Sequence, residues 1–120
     1  MKIKVLVIDD SKTTRTIVRS ILMDEDIGLV FAASGAEGLT LAQSDSPPDL
    51  ILLDIELPES NGFEVCQRLK ADERTAKIPV IFLTGASSTT QKIRGLDLGA
   101  IDYVTKPFDP ADLCARARAS

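Results

Sequence analysis

Histidine and tryptophan are absent from the chain, cysteine occurs twice and tyrosine once. With no histidine and no Cys-x-x-Cys pair, Cys66 and Cys114 support neither a zinc site nor a disulfide framework, and both read as packed thiols. Long apolar stretches are also missing. The longest aliphatic runs, Leu50 to Leu53 and Val80 to Leu83 with their neighbours, fall far short of the roughly 18 residues that span a bilayer. Met1-Lys2-Ile3-Lys4 leads straight into Val5-Leu6-Val7-Ile8 and two aspartates, with no secretory-length apolar stretch and no small-residue cleavage site. A cytoplasmic location with no membrane partner is therefore expected. Lys and Arg number 14 against 18 Asp and Glu, a net charge of −4, and the basic patch of a nucleic-acid binder is not seen. No direct contact with nucleic acid is expected.

What remains is an aliphatic chain, 44% apolar with four Phe, whose core must come from Val, Ile, Leu and Ala. At 120 residues that is enough for one core, so 1–120 is expected to be a single domain. Five β-rich runs stand out: Lys4 to Asp9, Leu29 to Ala33, Leu50 to Asp54, Val80 to Thr84 and Asp102 to Thr105. Each precedes a helical pattern. Ser11 to Met23 places Ile17, Val18, Ile21 and Leu22 on one face, with Lys12, Arg15 and Arg19 off it. Ser34 and Glu37 have capping-box spacing, with Leu39 and Ala42 as the buried stripe behind them. Asn61 to Ala71 carries Phe63, Cys66 and Leu69. Thr90 to Leu98 carries Ile93 and Leu96 and stops at Gly99. Asp109-Pro110 opens a last helix. Strict β/α alternation predicts a doubly wound parallel α/β sheet, with strands one, three and four central and strand two short.

Polar residues follow the apolar runs directly: Asp9-Asp10, Asp54, Thr84 and Lys106. A parallel sheet brings all of them to its carboxyl edge, where open α/β sheets hold their ligands. Three carboxylates there would repel one another strongly. A cation would relieve this, and all-oxygen ligation without His or Cys suits Mg²⁺ or Mn²⁺ beside a phosphoryl group. Taken singly, each piece has a plainer reading. Asp9-Asp10 can cap the first helix, Thr84-Gly85 can be a strand exit, and Lys106 can be a solvated surface lysine. Pro58 and Gly62 read as turn punctuation, and Tyr103 as edge-strand packing with its hydroxyl in water. Asp54 is different, because it ends Leu50-Ile51-Leu52-Leu53, the most buried-looking run in the chain.

Taken together, Val7-Ile8-Asp9-Asp10-Ser11, Pro48 to Pro58 with Asn61-Gly62-Phe63-Glu64, Pro79 to Thr84, and Gly99 to Phe108 resemble the receiver domain of two-component response regulators. The likeness is of the chemotaxis-regulator type and covers Lys4 to Arg118. It implies a flavodoxin-like five-stranded sheet in the order 2-1-3-4-5. It also implies Asp54 as phosphoacceptor, Thr84 and Lys106 as catalytic partners, and Thr84 with Tyr103 as the switch. The implied metal site is Asp10 and Asp54 through their carboxylates, Glu56 through its backbone carbonyl and Asp9 through water. A cis bond before Pro107 is implied as well.

The implied donor is a phosphohistidine on a sensor histidine kinase or a phosphotransfer protein, since this chain has no histidine of its own. Wording such as Asn61 to Cys66 and Ile78 to Thr84 is similar to receivers attached to diguanylate cyclases or histidine kinases. With Leu113 the sole large apolar residue of the last helix, the expectation is a receiver excised from a longer response regulator or hybrid kinase, with an attached output domain. A homodimer through the fourth-helix, fifth-strand, fifth-helix face is a further implied partner. Glu56 and Ala86 fall where the family varies and phosphoryl lifetime is set. Two rivals stand against this reading. An aspartate-nucleophile phosphohydrolase would resemble Asp-x-Asp-x-Thr at the first strand, whereas this chain has Asp54-Ile55-Glu56-Leu57 at its third. A phosphorylation-independent interaction module would not need the acidic pair, Thr84 and Lys106.

Overall fold

Strands buried on both faces need near-continuous aliphatic sequence, because alternate side chains face opposite layers of helices. Val5 to Ile8, Leu50 to Leu53 and Val80 to Leu83 meet that requirement, and all twelve side chains are buried. In the computed structural model, the described residues are 3–23, 26–57, 61–84, 97, 99–100, 102–105 and 110–119. The elements run β1 (Ile3–Ile8), α1 (Lys12–Leu22), β2 (Ile27–Ala32), α2 (Gly35–Ala42), β3 (Leu50–Asp54), α3 (Gly62–Ala71), β4 (Val80–Thr84), β5 (Asp102–Thr105) and α4 (Pro110–Ala119). The helix expected over Thr90 to Leu98 falls, but for Asp97, outside the described residues. The strands form one sheet in the order β2-β1-β3-β4-β5, with every pairing parallel.

The alternation along each strand sorts the core into two layers. Leu6, Ile8, Ile51, Leu53, Val80 and Phe82 face Phe63, Cys66 and Leu69 of α3. The Phe63 and Phe82 rings meet edge to face, 5.3 Å between centroids. Val5, Val7, Leu50, Leu52, Ile81 and Leu83 face the other way, toward Val18 and Leu22 of α1 and Leu113 and Ala117 of α4. At about 1.5–3 kcal/mol for each fully buried large aliphatic side chain, these two layers are the main favourable contribution to folding.

Two expectations are corrected. Strand β2 is not short: it runs six residues from Ile27 and pairs in register from Ile3↔Ile27 to Ile8↔Ala32. Gly28 looks like a break in sequence, yet at a sheet edge it is tolerated because no cross-strand side chain has to pack on it from outside. In α1, the buried line is Thr14, Val18 and Leu22, whereas Ile17 is 42% exposed. One residue is about 100° of helix turn, so with Val18 facing the sheet, Ile17 is carried toward solvent.

Three helices begin just after strand ends, and each has a side-chain cap. Ser11 Oγ accepts from Thr14 N–H (3.2 Å), Ser34 Oγ from Glu37 N–H (3.1 Å) and Asn61 Oδ1 from Glu64 N–H (3.0 Å). Glu37 also reaches back, one residue beyond the cap, to accept from Ala33 N–H at 3.0 Å. Each cap contributes about 0.5–2 kcal/mol and fixes where its helix starts, which sets the height of the loops at the carboxyl edge of the sheet.

Candidate acidic site at the carboxyl edge of the sheet

The parallel register Ile8↔Leu53 means that the residues following each strand emerge side by side. Asp9 extends the β1 ladder through its N–H to the Ala32 carbonyl (3.0 Å), and Asp54 closes β3. Both are buried, Asp9 at 0% and Asp54 at 5% exposure, whereas Asp10 is exposed. Asp9 Oδ1 accepts from Ser11 N–H at 2.8 Å, so the acidic pair and the cap of α1 are one structure. Asp54 Oδ1 accepts from Glu56 N–H at 3.1 Å.

The three carboxylates converge as the sequence predicts. One oxygen from each of Asp9, Asp10 and Asp54 lies within 4.8 Å of the others. At that separation and an effective dielectric near 20, the buried Asp9–Asp54 pair repels by on the order of 3 kcal/mol, with the exposed Asp10 better screened. An all-oxygen set with no nitrogen or sulfur donor fits a hard divalent cation, and the cluster could hold a metal ion.

The loop after β3 is held tightly under this cluster. Gly62 N–H donates to the Ile55 carbonyl at 2.7 Å, and Glu56 forms an isolated antiparallel bridge with Asn61. The Gly62 bond uses the Ile55 carbonyl, leaving that of Glu56 out of this contact. The Glu56 side chain is exposed. Gly62 matters in a way its reading as turn punctuation missed: it is the first residue of α3 and packs directly on β3. A Cβ there would run into the Asp54 carbonyl oxygen and come within 2.9 Å of Ile55 Cα. Sequence offered one signal for this, a glycine placed directly after a cap residue, where the helix N-terminus must approach a strand end.

Thr84 ends β4, one residue beyond the Asp54↔Leu83 pairing and opposite Thr105. Its backbone therefore stands at the same edge as the acidic cluster. Tyr103 pairs with Phe82 and is half-buried, packed against the α3-side core layer. Lys106, the Lys106–Pro107 bond, Ala86 and Pro58 lie outside the described residues. Cys66 is buried in α3, away from the acidic cluster; burial pushes its thiol up, and nearby Lys70 partly opposes this.

Among the described residues, no helix is long and apolar enough to cross a membrane. Residues 5–118 match the family model for the response regulator receiver domain. The chain is 46% identical over 116 residues to the DNA-binding dual master transcriptional regulator RpaA of Synechocystis sp., covering 97% of this chain and 48% of that protein. It is 38% identical over 119 residues to the alkaline phosphatase synthesis transcriptional regulatory protein PhoP of Bacillus subtilis, covering 99% of this chain and 48% of that protein. It thus spans about half the length of these curated relatives. In three dimensions it is similar to chemotaxis protein CheY4 of Vibrio cholerae, with a TM-score of 0.90, 31% identity and coverage of 99% of this chain and 98% of that one. A parallel sheet in the order 2-1-3-4-5, three converging aspartates at its carboxyl edge and these likenesses agree, and the chain belongs to the response regulator receiver domain family of two-component signalling.

Proposed function

We propose that this domain takes a phosphoryl group onto Asp54 from a phosphohistidine of a sensor kinase or phosphotransfer protein. The observation that carries this reading is the placement of Asp54. It ends the most buried strand, yet its carboxylate lies within 4.8 Å of those of Asp9 and Asp10. In the transfer, an Asp54 carboxylate oxygen attacks phosphorus in line and forms a P–O bond. The P–N bond to the donor imidazole breaks and its electron pair returns to nitrogen; with the other ring nitrogen protonated, the donor leaves as neutral imidazole. The charge spread over the three phosphoryl oxygens makes positioning and fixed positive charge the main catalytic devices.

Mg²⁺ or Mn²⁺ would be held by the Asp10 and Asp54 carboxylates and the Glu56 carbonyl, with Asp9 acting through water. Bound there, the cation supplies positive charge against both the carboxylates and the phosphoryl oxygens. The Asp9 bond to Ser11 N–H and the Asp54 bond to Glu56 N–H hold these two carboxylates in place beforehand. Thr84 and Lys106 would contact the phosphoryl oxygens. Thr84 and Tyr103 would carry the change to an output surface that includes β5 and α4. That same face is where a homodimer would form. The relatives, DNA-binding and transcriptional regulators of about twice this length, support a cytoplasmic protein in which this domain is the input to an attached output domain.

Intact-protein mass spectrometry tests the reading. Acetyl phosphate with Mg²⁺ should add a single phosphoryl group, and Asp54→Asn should abolish the addition. Full labelling of a folded Asp54→Asn variant would overturn it.

A further inference from the structure

Lys12, Arg15 and Arg19 are separated by three and four residues along α1, a spacing that brings them to one flank of the helix. That flank looks toward the edge strand β2. With Thr16 and Phe31, the three cations line an open cleft of about 290 Å³, and among the described residues no acidic side chain is in its walls. Among the described residues, none of the three is in an ion pair. On a chain of net charge −4, such a concentration of unopposed positive charge does not follow from composition.

Two details show that the cleft is arranged rather than merely basic. The Arg19 guanidinium lies over the Phe31 ring, 5.0 Å from its centroid, which restrains a side chain that would otherwise sample many rotamers. Arg15 Nε is sealed from solvent and has no hydrogen-bond partner among the described residues. A desolvated N–H on a permanent cation is unfavourable until an acceptor reaches it. The Thr16 hydroxyl donates to the Lys12 carbonyl at 2.9 Å, so its proton is already used. The cleft therefore calls for acceptors and negative charge.

Guanidinium forks match phosphate oxygens two at a time. Two guanidinium forks and the Lys12 ammonium can engage about five oxygens, more than the four of one phosphate and within the six terminal oxygens of pyrophosphate. We propose that the cleft between α1 and β2 binds a diphosphate group, either inorganic pyrophosphate or the diphosphate end of a larger molecule. This site is separate from the acidic cluster and does not depend on phosphorylation of Asp54.

The test is an amide chemical-shift titration with inorganic pyrophosphate, without Mg²⁺ and at ionic strength fixed with potassium chloride. Saturable shifts are expected at Arg15, Thr16, Arg19 and Phe31. Arg15→Gln and, independently, Arg19→Gln should each raise the Kd about tenfold or more with folded spectra. A nucleoside diphosphate titrated in parallel separates the sources: tighter binding than pyrophosphate assigns the site to a larger molecule, and equal or weaker binding assigns it to the inorganic anion. Shifts that fail to saturate, that lie only around Asp9, Asp10 and Asp54, or that are unchanged in whichever variant folds would overturn the proposal.

Discussion

Replacing Gly62 with alanine tests whether the first turn of α3 is braced on the strand that carries Asp54. By helix propensity alone the change should stabilise the protein by about 1 kcal/mol, because glycine is the poorer helix former. The packing argues the other way. The new methyl would meet the Asp54 carbonyl oxygen and lie 2.9 Å from Ile55 Cα, and both are backbone atoms of a buried segment that cannot swing aside. Overpacking of this kind costs about 1–3 kcal/mol, and displacement of the helix also strains the 2.7 Å bond from Gly62 N–H to the Ile55 carbonyl, worth about 1 kcal/mol. After the propensity gain is subtracted, net destabilisation of about 1–3 kcal/mol is expected. For a domain of this size that is a fall in Tm of roughly 3–15 °C. Urea unfolding followed by circular dichroism measures it, with Gly28→Ala as the comparison, because a Cβ at Gly28 meets nothing within 4 Å. If Gly62→Ala is as stable as the parent, the brace does not exist as described.

Three other outcomes are expected. Mg²⁺ should raise Tm with site occupancy, and Asp10→Asn should stabilise the metal-free protein while weakening that response; a melting curve indifferent to millimolar Mg²⁺ would contradict the site. The Cys66 thiol, pushed up by burial, stays neutral in the folded protein above the value near 8.5 at which an unfolded thiol ionises. Its contribution to stability is thus complete below about pH 8.5 and is lost as pH rises through the folded value. Native Cys66 should resist iodoacetamide at pH 8 and react once unfolded, and equal rates in both states would refute the burial argument. Thr84→Ala should still accept phosphate at Asp54, more slowly than the parent, yet lose the beryllofluoride-induced shifts around Tyr103 that the parent shows; retention of those shifts would break the proposed coupling.

Much of this was readable in sequence for a definite reason. A parallel strand buried on both faces leaves an unbroken aliphatic run, so β1, β3 and β4 announce themselves, and the polar residue that ends each run, Asp9, Asp54 and Thr84, marks the carboxyl edge. The cap at Ser34 is equally local, whereas the first helix takes its cap from Ser11 rather than from Asp9 or Asp10. What was not legible depends on tertiary fit. Ile17 and Val18 are alike in composition, and only the angle at which α1 meets the sheet decides which is buried. Gly62 looks like a turn until the β3 backbone is placed beneath it. The loop from Asp72 to Pro79 is held by Thr75 Oγ1 donating to the Leu69 carbonyl (2.6 Å) and by Lys70 Nζ donating to the carbonyls of Ala76 (3.1 Å) and Ile78 (2.8 Å). Bonds to backbone carbonyls leave no residue pattern, since every residue supplies the acceptor.

The central claim is chemical: one side chain, Asp54, forms the acyl phosphate. Borohydride reduction of the acetyl phosphate-treated protein converts an aspartyl phosphate to homoserine, and peptide mapping then locates the converted residue. The account predicts homoserine at position 54 alone, dependent on Mg²⁺. Conversion at Asp9 or Asp10 in place of Asp54 would contradict it.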